Sequence, residues 1–206
     1  MLRPSAGEKQ LGWVILRALR SCVAIGAMVG CAVLFGRASA AQTDPRVTEF
    51  LASLNRTIAE LAGQAGSQAS SACGRIVASA INMDAVTWSA LGHMRERISS
   101  QQRAAYRAAA QRWAVRDCLR RNQDNSGHPL EFLGVRQGEA GERVLATRSS
   151  APAHTVIWRL RGSGRVRAVD VVIDGRSMIL SLRDETKALL DRNNGDIDMA
   201  TEALGR

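Results

Sequence analysis

The spacing of apolar residues changes twice along this chain, and this change limits the folds that it can adopt. Apolar side chains recur at helical spacing in residues 44–121, alternate as in strands in residues 130–173, and return to helical spacing in residues 177–204. Turns that contain glycine divide the middle region into four candidate strands, at residues 130–136, 142–149, 154–161 and 165–173. Helices, then a four-stranded antiparallel sheet, then helices make an α+β fold.

The helical regions carry recognisable boundary signals. The Asp-Pro pair that begins residues 44–63 predicts a first helix there, since Asp is a favoured N-cap and Pro fits the first helical position. Residues 66–71 are small and polar, which predicts a linker before a second helix. Ser99 and Gln102 form a capping box that opens the longest helix, and we expect this helix to end near Arg121.

Residues 1–40 have the three zones of a secretory signal peptide. Basic residues precede an apolar run of 15 residues, and the Ala-Ser-Ala sequence at 38–40 predicts cleavage after Ala40. A retained membrane anchor is the less favoured alternative, because a helix that crosses a bilayer needs about 20 apolar residues. A lipoprotein signal centred on Cys31 is also disfavoured, since the apolar run continues past that cysteine. We therefore expect an exported protein whose mature part acts outside the cytoplasm.

The part of the chain after the signal, residues 41–206, is long enough for one domain with a real core. It has 23 basic and 18 acidic residues, a net charge of +5. A basic exported protein seldom meets nucleic acid, so its expected counterparts are anionic membrane surfaces, anionic ligands or acidic protein faces. Its two cysteines, Cys73 and Cys118, can pair in an oxidising compartment or remain two separate buried thiols.

Residues that carry enzymatic chemistry are sparse. His93, His128 and His154 are scattered, and none sits with a cysteine or a carboxylate at the spacing of metal ligands. Asp170 and Asp174 lie four residues apart near a strand end and can act as an acid and a base. Pairing with a nearby arginine and turn formation explain these two carboxylates better. We therefore expect no enzyme, no metal and no cofactor.

Two stretches of sequence form a further pattern. In the first, residues 81–92 begin Ile-Asn-Met-Asp-Ala-Val and end Ala-Leu-Gly, and residues 99–106 begin Ser-Ser-Gln-Gln-Arg and end with tyrosine. In the second, residues 170–177 read Asp-Val-Val-Ile-Asp-Gly-Arg-Ser, and Arg183 follows them. In this order and spacing they resemble the MlaC family, also called the toluene-tolerance or Ttg2 family, of periplasmic lipid-binding proteins that serve ABC transporters.

The resemblance implies a twisted four-stranded sheet curled against helices, with an apolar cavity between them that receives acyl chains. It implies that residues 41–206 form a single lipid-binding domain whose ligand is a phospholipid or a hopanoid-like lipid. No catalytic step and no cofactor are required of such a carrier. The implied partners are an inner-membrane ABC/MCE transporter complex and an outer-membrane lipoprotein. A monomer is expected, since nothing in the sequence resembles a coiled-coil seam, but the residues leave the oligomeric state open.

Apolar residues on the last two long strands and on nearby helices are the candidates for the lining of this cavity. They are Trp88, Leu91, Val156, Trp158, Leu160, Val171, Ile173, Met178 and Ile179. Ordinary core packing is the alternative for each residue, because a pocket wall and a core face share one sequence pattern. With a solid core the chain is instead expected to be a basic envelope adaptor that docks on an acidic partner. A third hypothesis is a small-molecule enzyme that uses Asp170.

Overall fold

The structure, a computed structural model, describes residues 44–125, 127–150 and 153–206, without the side chains of residues 122–125. All of them belong to one compact unit, Ala41–Arg206. The predicted signal peptide, residues 1–40, lies outside the described residues, and so does its cleavage site. Within the described part of the chain, no helix is both long and apolar enough to cross a membrane.

Six α-helices occur in the described residues. They are α1 (Pro45–Leu61), α2 (Gly66–Ala80), α3 (Met83–Leu91), α4 (Ser100–Asn125), α5 (Met178–Arg192) and α6 (Ile197–Gly205). The prediction of a linker at residues 66–71 is wrong, because α2 already begins at Gly66. Ala69 and Ala72 are buried on this helix, so its small residues pack closely on the core although their composition is typical of a loop.

Polar side chains cap the starts of α1 and α4, as the sequence predicts. Asp44 accepts a hydrogen bond from the backbone N–H of Arg46 at 3.0 Å. The Arg46 side chain also bonds this carboxylate and thereby holds the pKa of Asp44 well below its usual range. At α4, Ser99 Oγ accepts from the N–H of Gln102 at 3.1 Å, and Gln102 Oε1 accepts from the N–H of Ser99 at 3.0 Å. This reciprocal pair confirms the capping box.

The sheet is antiparallel and its strands follow one another in chain order. They are β1 (Glu131–Gln137), β2 (Arg143–Ser150), β3 (Ala153–Arg161), β4 (Arg167–Ile173) and β5 (Arg176–Ser177). The α+β class and the order of helices, sheet and helices are therefore confirmed. The sheet has five strands rather than the four expected.

The fifth strand has two residues, which is too short to show alternation of apolar and polar side chains. It returns from β4 through a tight turn at Asp174 and Gly175, both of which have positive φ angles, 48° and 80°. Two residues with positive φ match the twist of a hairpin, and an Asp-Gly pair favours such a turn. Ile173 then pairs with Arg176, and Val172 with Ser177.

One face of the sheet packs toward the helices. Leu145 on β2 lies opposite Trp158 on β3, which lies opposite Val171 on β4, so the three side chains share this inner face. The Trp158 ring meets the ring of Phe50 from α1 edge-on, with centroids 5.6 Å apart. Its buried indole N–H donates to Thr147 Oγ1 at 3.0 Å, so the tryptophan has a polar partner as well as apolar neighbours.

The helices close against the sheet at the start of β4. The backbone N–H of Asn82, between α2 and α3, donates to the carbonyl of Ala168 at 2.8 Å. Ile81 forms an isolated parallel bridge with the same alanine, and its carbonyl accepts from Arg167 Nη2 at 2.6 Å. We call this side of the sheet the closed end.

The second of the two stretches described above, residues 170–177 followed by Arg183, attaches α5 to the rest of the fold. Asp170 is 4% exposed, and its carboxylate accepts hydrogen bonds from the N–H of Val171 (2.9 Å), Ser177 Oγ (2.8 Å) and the N–H of Ile179 (3.2 Å). This carboxylate therefore caps the start of α5. Further along α5, Arg183 donates to backbone carbonyls near the end of α3, including that of Ser89 at 2.7 Å.

Tyr106 is the last residue of the first of these stretches, and it connects α4 with α5. Its side chain is fully buried, and its hydroxyl lies 2.7 Å from Thr186 Oγ1. Burial raises the pKa of Tyr106 to about 12. Since Thr186 Oγ1 donates to the carbonyl of Leu182, the tyrosine hydroxyl is the donor to Thr186. Tyr106 from the first stretch, and Asp170, Ser177 and Arg183 from the second, thus have structural roles.

Replacement of Asp170 by alanine should destabilise the fold strongly. Hydrogen bonds to a charged group contribute roughly 1.5–3 kcal/mol each, and their loss leaves buried donors without a partner, so we expect a cost of about 2–4 kcal/mol. Asp191→Ala is the control, because that carboxylate forms an exposed pair with Lys187 and should cost less than about 1 kcal/mol. Urea denaturation measures both, and equal costs would contradict the capping role.

Candidate functional site

A cavity of about 1040 Å³ lies between the inner face of the sheet and the helices. Its walls are apolar side chains from α1, α2, α4, β3, β4, the start of α5 and the segments next to them. These wall residues are Leu54, Ile58, Leu61, Ile76, Val77, Ile81, Trp113, Ala114, Cys118, Leu130, Val156, Trp158, Val171, Ile173 and Met178. The interior between sheet and helices is therefore hollow in this region.

Five of the nine predicted lining residues lie in the wall. The register of the sheet sets Val156 opposite Ile173 and Trp158 opposite Val171, all on the inner face. Met178 follows directly at the start of α5. Strand alternation thus identifies the part of the wall that the sheet contributes, because Val156 and Trp158 on β3, and Val171 and Ile173 on β4, are each two residues apart and face the helices.

Trp88 does not line the cavity. Its side chain is 51% exposed, and the guanidinium carbon of Arg95 lies 4.8 Å from its ring centroid. The buried residues of α3 are Met83, Val86, Thr87, Ala90 and Leu91. Since each helical residue turns by about 100°, these residues form one face, and Trp88 lies off that face. The periodicity of this helix therefore contradicts a lining role for Trp88.

Leu91, Leu160 and Ile179 also lie outside the wall. Leu91 and Leu160 are buried core residues, and Ile179 packs against the same core. Leu160 shares the inner face with Trp158 but lies opposite Ala168, at the closed end where the junction of α2 and α3 pairs with β4. Leu160 itself is fully buried and packs in the core, and the β3 residues that border the cavity are Trp158 and Val156.

The amino-terminal helices contribute wall residues that the prediction omitted. Leu54, Ile58 and Leu61 follow each other at helical spacing on α1, and Trp113 and Ala114 belong to α4. The apolar stripe of α1 and the two apolar faces of α4 are visible in the sequence. Nothing in that pattern distinguishes a face that borders a cavity from one that packs against another element.

A disulfide joins two of the walls. Cys73 on α2 and Cys118 on α4 are bonded, with Cα atoms 5.8 Å apart. Cys73 is fully buried, whereas Cys118 borders the cavity. This bond fixes the spacing of α2 and α4 beside the cavity.

Polar and largely exposed side chains surround the opening of the cavity, and we call them the mouth ring. They are Asp117, Arg120, Arg121, His128, His154, Asp174, Arg176, Asp184 and Glu185. Arg120 and Arg121 both pair with Asp117, and His154 pairs with Asp174. In the described ranges, no three His, Cys, Asp or Glu side chains are grouped to hold a metal ion. The site is thus apolar inside and charged at its opening.

The two tryptophans predicted as lining should respond differently to truncation. Trp158 is 7% exposed and contacts Phe50 and Thr147, so Trp158→Ala should cost about 3 kcal/mol of stability. Trp88 makes an exposed contact with Arg95, so Trp88→Ala should cost less than about 1 kcal/mol. Chemical denaturation gives both values. A larger cost for Trp88→Ala would contradict the placement of these residues.

Reduction of the disulfide between α2 and α4 should destabilise the protein. The disulfide closes a loop of 45 residues, for which the chain-entropy estimate is about 4 kcal/mol. Denaturation of residues 41–206 with and without reductant measures this loss. In the control variant, Cys73→Ala with Cys118→Ala, reductant should leave the free energy of unfolding unchanged. If reductant also leaves the free energy of unfolding of the unmodified protein unchanged, the two thiols are free and the disulfide is contradicted.

Comparison with known proteins relates this architecture to a family. The family described as MlaC protein matches residues 39–206 of this chain. No curated protein matches the chain in sequence. The fold is similar to that of the phospholipid-binding protein from Ralstonia solanacearum in complex with a phospholipid, with a TM-score of 0.61 and 11% identity, covering 78% of this chain and 93% of that one. Because the family match spans well over half of its length, this chain belongs to the MlaC family.

Proposed function

We propose that this protein is a periplasmic carrier of a phospholipid or a related amphiphile. The observation that carries the proposal is the open, apolar cavity of about 1040 Å³ between the sheet and the helices. Small-molecule pockets usually span about 300–1,000 Å³, so this cavity is slightly larger than that range. Its size and its apolar walls suit acyl chains, and the charged mouth ring suits a polar headgroup.

The energetics of a lipid tail explain why such a cavity is sufficient. Each CH₂ group that leaves water gains about 0.8 kcal/mol, so a carrier that buries most of an acyl chain compensates the loss of its membrane environment. Binding then needs no covalent step and no cofactor. This argument favours a binding protein over an enzyme, and the engagement of Asp170 in three hydrogen bonds also weakens the proposal that it is a catalytic base.

The structural neighbour supports the choice of ligand. The protein from Ralstonia solanacearum that shares this fold is described as phospholipid-binding and holds a phospholipid. By analogy we propose a phospholipid for this chain, with a hopanoid-like lipid as the alternative. The proposed lining comprises Val156, Trp158, Val171, Ile173 and Met178, joined by the wall residues of α1, α2 and α4.

Export and partners complete the proposal. Residues 1–40 act as a signal peptide that is removed after Ala40, and residues 41–206 work in the periplasm as a single lipid-binding domain and a monomer. The carrier serves an ABC-type intermembrane lipid transport system, with an inner-membrane ABC/MCE complex and an outer-membrane lipoprotein as partners. The signal-like sequence and the family membership support these assignments.

The alternative of a basic envelope adaptor makes a different structural prediction. Such a module docks through exposed charges and needs a solid core. The hollow between α1, α4 and the sheet is costly for a protein without a ligand, since interiors are normally packed to crystal-like density. The cavity therefore favours the carrier over the adaptor.

A charge placed in the wall should abolish lipid binding. Ile58 borders the cavity and is partly exposed, so Ile58→Glu should fold but bring a carboxylate against the acyl chain. We expect native mass spectrometry of residues 41–206 to show a co-purified lipid, and at least a roughly tenfold lower lipid-bound fraction in the variant. Leu133→Glu is the matched control, because Leu133 is 45% exposed on β1 and lies outside the cavity.

Two outcomes would contradict the proposal. One is unmodified protein that emerges without lipid and takes up no labelled phospholipid from vesicles. The other is equal loss of lipid in Ile58→Glu and in Leu133→Glu, since only the first position borders the cavity. Circular dichroism of both variants controls for folding.

A further inference from the structure

The exposed side chain of Trp88 on α3 marks a surface that lies outside the cavity. It is 51% exposed, and no other large apolar side chain within residues 84–107 is strongly exposed. The guanidinium carbon of Arg95 lies 4.8 Å from the ring centroid and covers only part of the ring. Because large apolar side chains normally gain stability by burial, packing within the fold does not explain a tryptophan at this position.

A second arginine reaches the same end of α3 from α5. Arg183 donates to the carbonyl of Ser89 at 2.7 Å and to that of Ala90 at 3.3 Å. Ser89 directly follows Trp88, so the Arg183 guanidinium binds the helical turn that carries the tryptophan. Cations are favoured at the carboxyl end of a helix, where the last carbonyls lack helical partners. Arg95 and Arg183 thus both lie against this turn of α3.

These cations are only partly neutralised by carboxylates. Arg183 bonds backbone carbonyls, which accept hydrogen bonds but carry no net charge. Arg103 on α4 likewise donates to the carbonyls of Arg95 (3.1 Å) and Ile98 (2.9 Å). The ion pair of Arg95 with Glu96 is long, at 3.9 Å, and the glutamate side chain is 73% exposed. A positive charge therefore remains around the exposed tryptophan.

One ion pair also lies beside the tryptophan. Asp84 is one helical turn before Trp88 on α3, and it pairs with Arg107 on α4 at 3.0 Å. Residues 84–107 contain four arginines and two carboxylates, and Arg183 adds a fifth arginine. We give the name Trp88 surface to the tryptophan and the four arginines that these contacts place around it: Trp88, Arg95, Arg103, Arg107 and Arg183. None of these five residues borders the cavity.

From these contacts we infer that the Trp88 surface docks the protein on a lipid bilayer that contains anionic phospholipid. The indole ring enters the interfacial layer, which suits an aromatic ring with one apolar and one polar end. The arginines contact lipid phosphates through charge-assisted hydrogen bonds. The surface is separate from the cavity, so this inference does not require the proposed carrier function.

A bilayer fits this surface better than a protein partner does. A stable protein interface buries about 1,200–2,000 Å² and has several apolar side chains at its centre. Here a single aromatic side chain stands among arginines, which matches the interfacial anchors of peripheral membrane proteins. Residues 41–206 have 23 basic and 18 acidic residues, and their net charge of +5 attracts the domain to an anionic surface. With one aromatic anchor the docking is weak, reversible and dependent on salt.

Co-sedimentation with vesicles tests the inference. Residues 41–206 are mixed at low salt with vesicles of phosphatidylcholine alone or of equimolar phosphatidylcholine and phosphatidylglycerol, and the protein in the pellet is measured. Protein that only takes up a lipid into its cavity remains in the supernatant. We expect binding to the anionic vesicles to be at least about fivefold stronger than to phosphatidylcholine, and to fall toward the phosphatidylcholine level at high salt.

Paired variants assign the docking to this surface. Trp88→Ala should weaken binding to the anionic vesicles by about fivefold, whereas Met199→Ala, at a position that is also 51% exposed, should leave it unchanged. Arg95→Gln should weaken this binding by about three- to fivefold. Arg75→Gln removes the same charge from an exposed pair with Glu60 on α1, and it should have a smaller effect.

The variant with a charge in the cavity wall separates docking from lipid transport. Ile58→Glu, which should load little lipid, should sediment with anionic vesicles as the unmodified protein does. Loss of docking in this variant would overturn the inference, because sedimentation would then depend on the cavity. Docking of an unmodified protein that loads no lipid would instead contradict the carrier function alone.

Other results would also overturn the inference. Equal binding to both kinds of vesicle, or binding to neither, would remove the anionic bilayer as the partner. Equal losses in Trp88→Ala and Met199→Ala would show that the contact lies elsewhere on the protein. Full docking of Trp88→Ala would have the same meaning, and it would favour an acidic protein as the occupant of the Trp88 surface.

Discussion

The cavity walls remain apart because the elements that carry them are attached to one another by hydrogen bonds and a disulfide beside the cavity. Asn55 on α1 exchanges two hydrogen bonds with the backbone of Leu130, at 3.0 and 2.9 Å, just before β1 begins. The bond between Cys73 and Cys118 fixes α2 to α4, and the carboxylate of Asp170 fixes the start of α5 to the sheet. Apolar surfaces that face each other tend to close on contact. These attachments oppose that collapse.

The same arrangement produces a gradient along the sheet. At the closed end, Ile81 at the junction of α2 and α3 pairs with Ala168 on β4, and Leu160 on β3 is fully buried in the core. Further along β3, Trp158 and Val156 border the cavity, and His154 lies at the opening. One strand thus passes from solid core through an apolar wall to a polar mouth. An amphiphile has the same order of properties along its length, which is why its tail and headgroup fit this site together.

Most of the fold was predictable from residue patterns, and part of the site was not. Alternation along β3 and β4 identified Val156 and Ile173, because a strand face is decided by every second residue. Trp88 was misplaced although the periodicity of α3 excludes it from the buried face. Ile58 was missed for a different reason. Its helical spacing predicts that it faces inward, but residues that pack in a core and residues that border a cavity have the same apolar spacing in the sequence. The short strand β5 is implied only by its Asp-Gly turn.

The location of the acyl chain tests the central claim most directly. A phospholipid with a nitroxide label near the end of one chain broadens NMR signals close to the label, and methyl groups report its position. We predict selective broadening of the methyl groups of Ile58, Val156 and Ile173, which border the cavity from α1, β3 and β4. Broadening confined to exposed Leu133 and Met199, with the cavity methyl groups unchanged, would show that lipid meets only the surface and would contradict the carrier account.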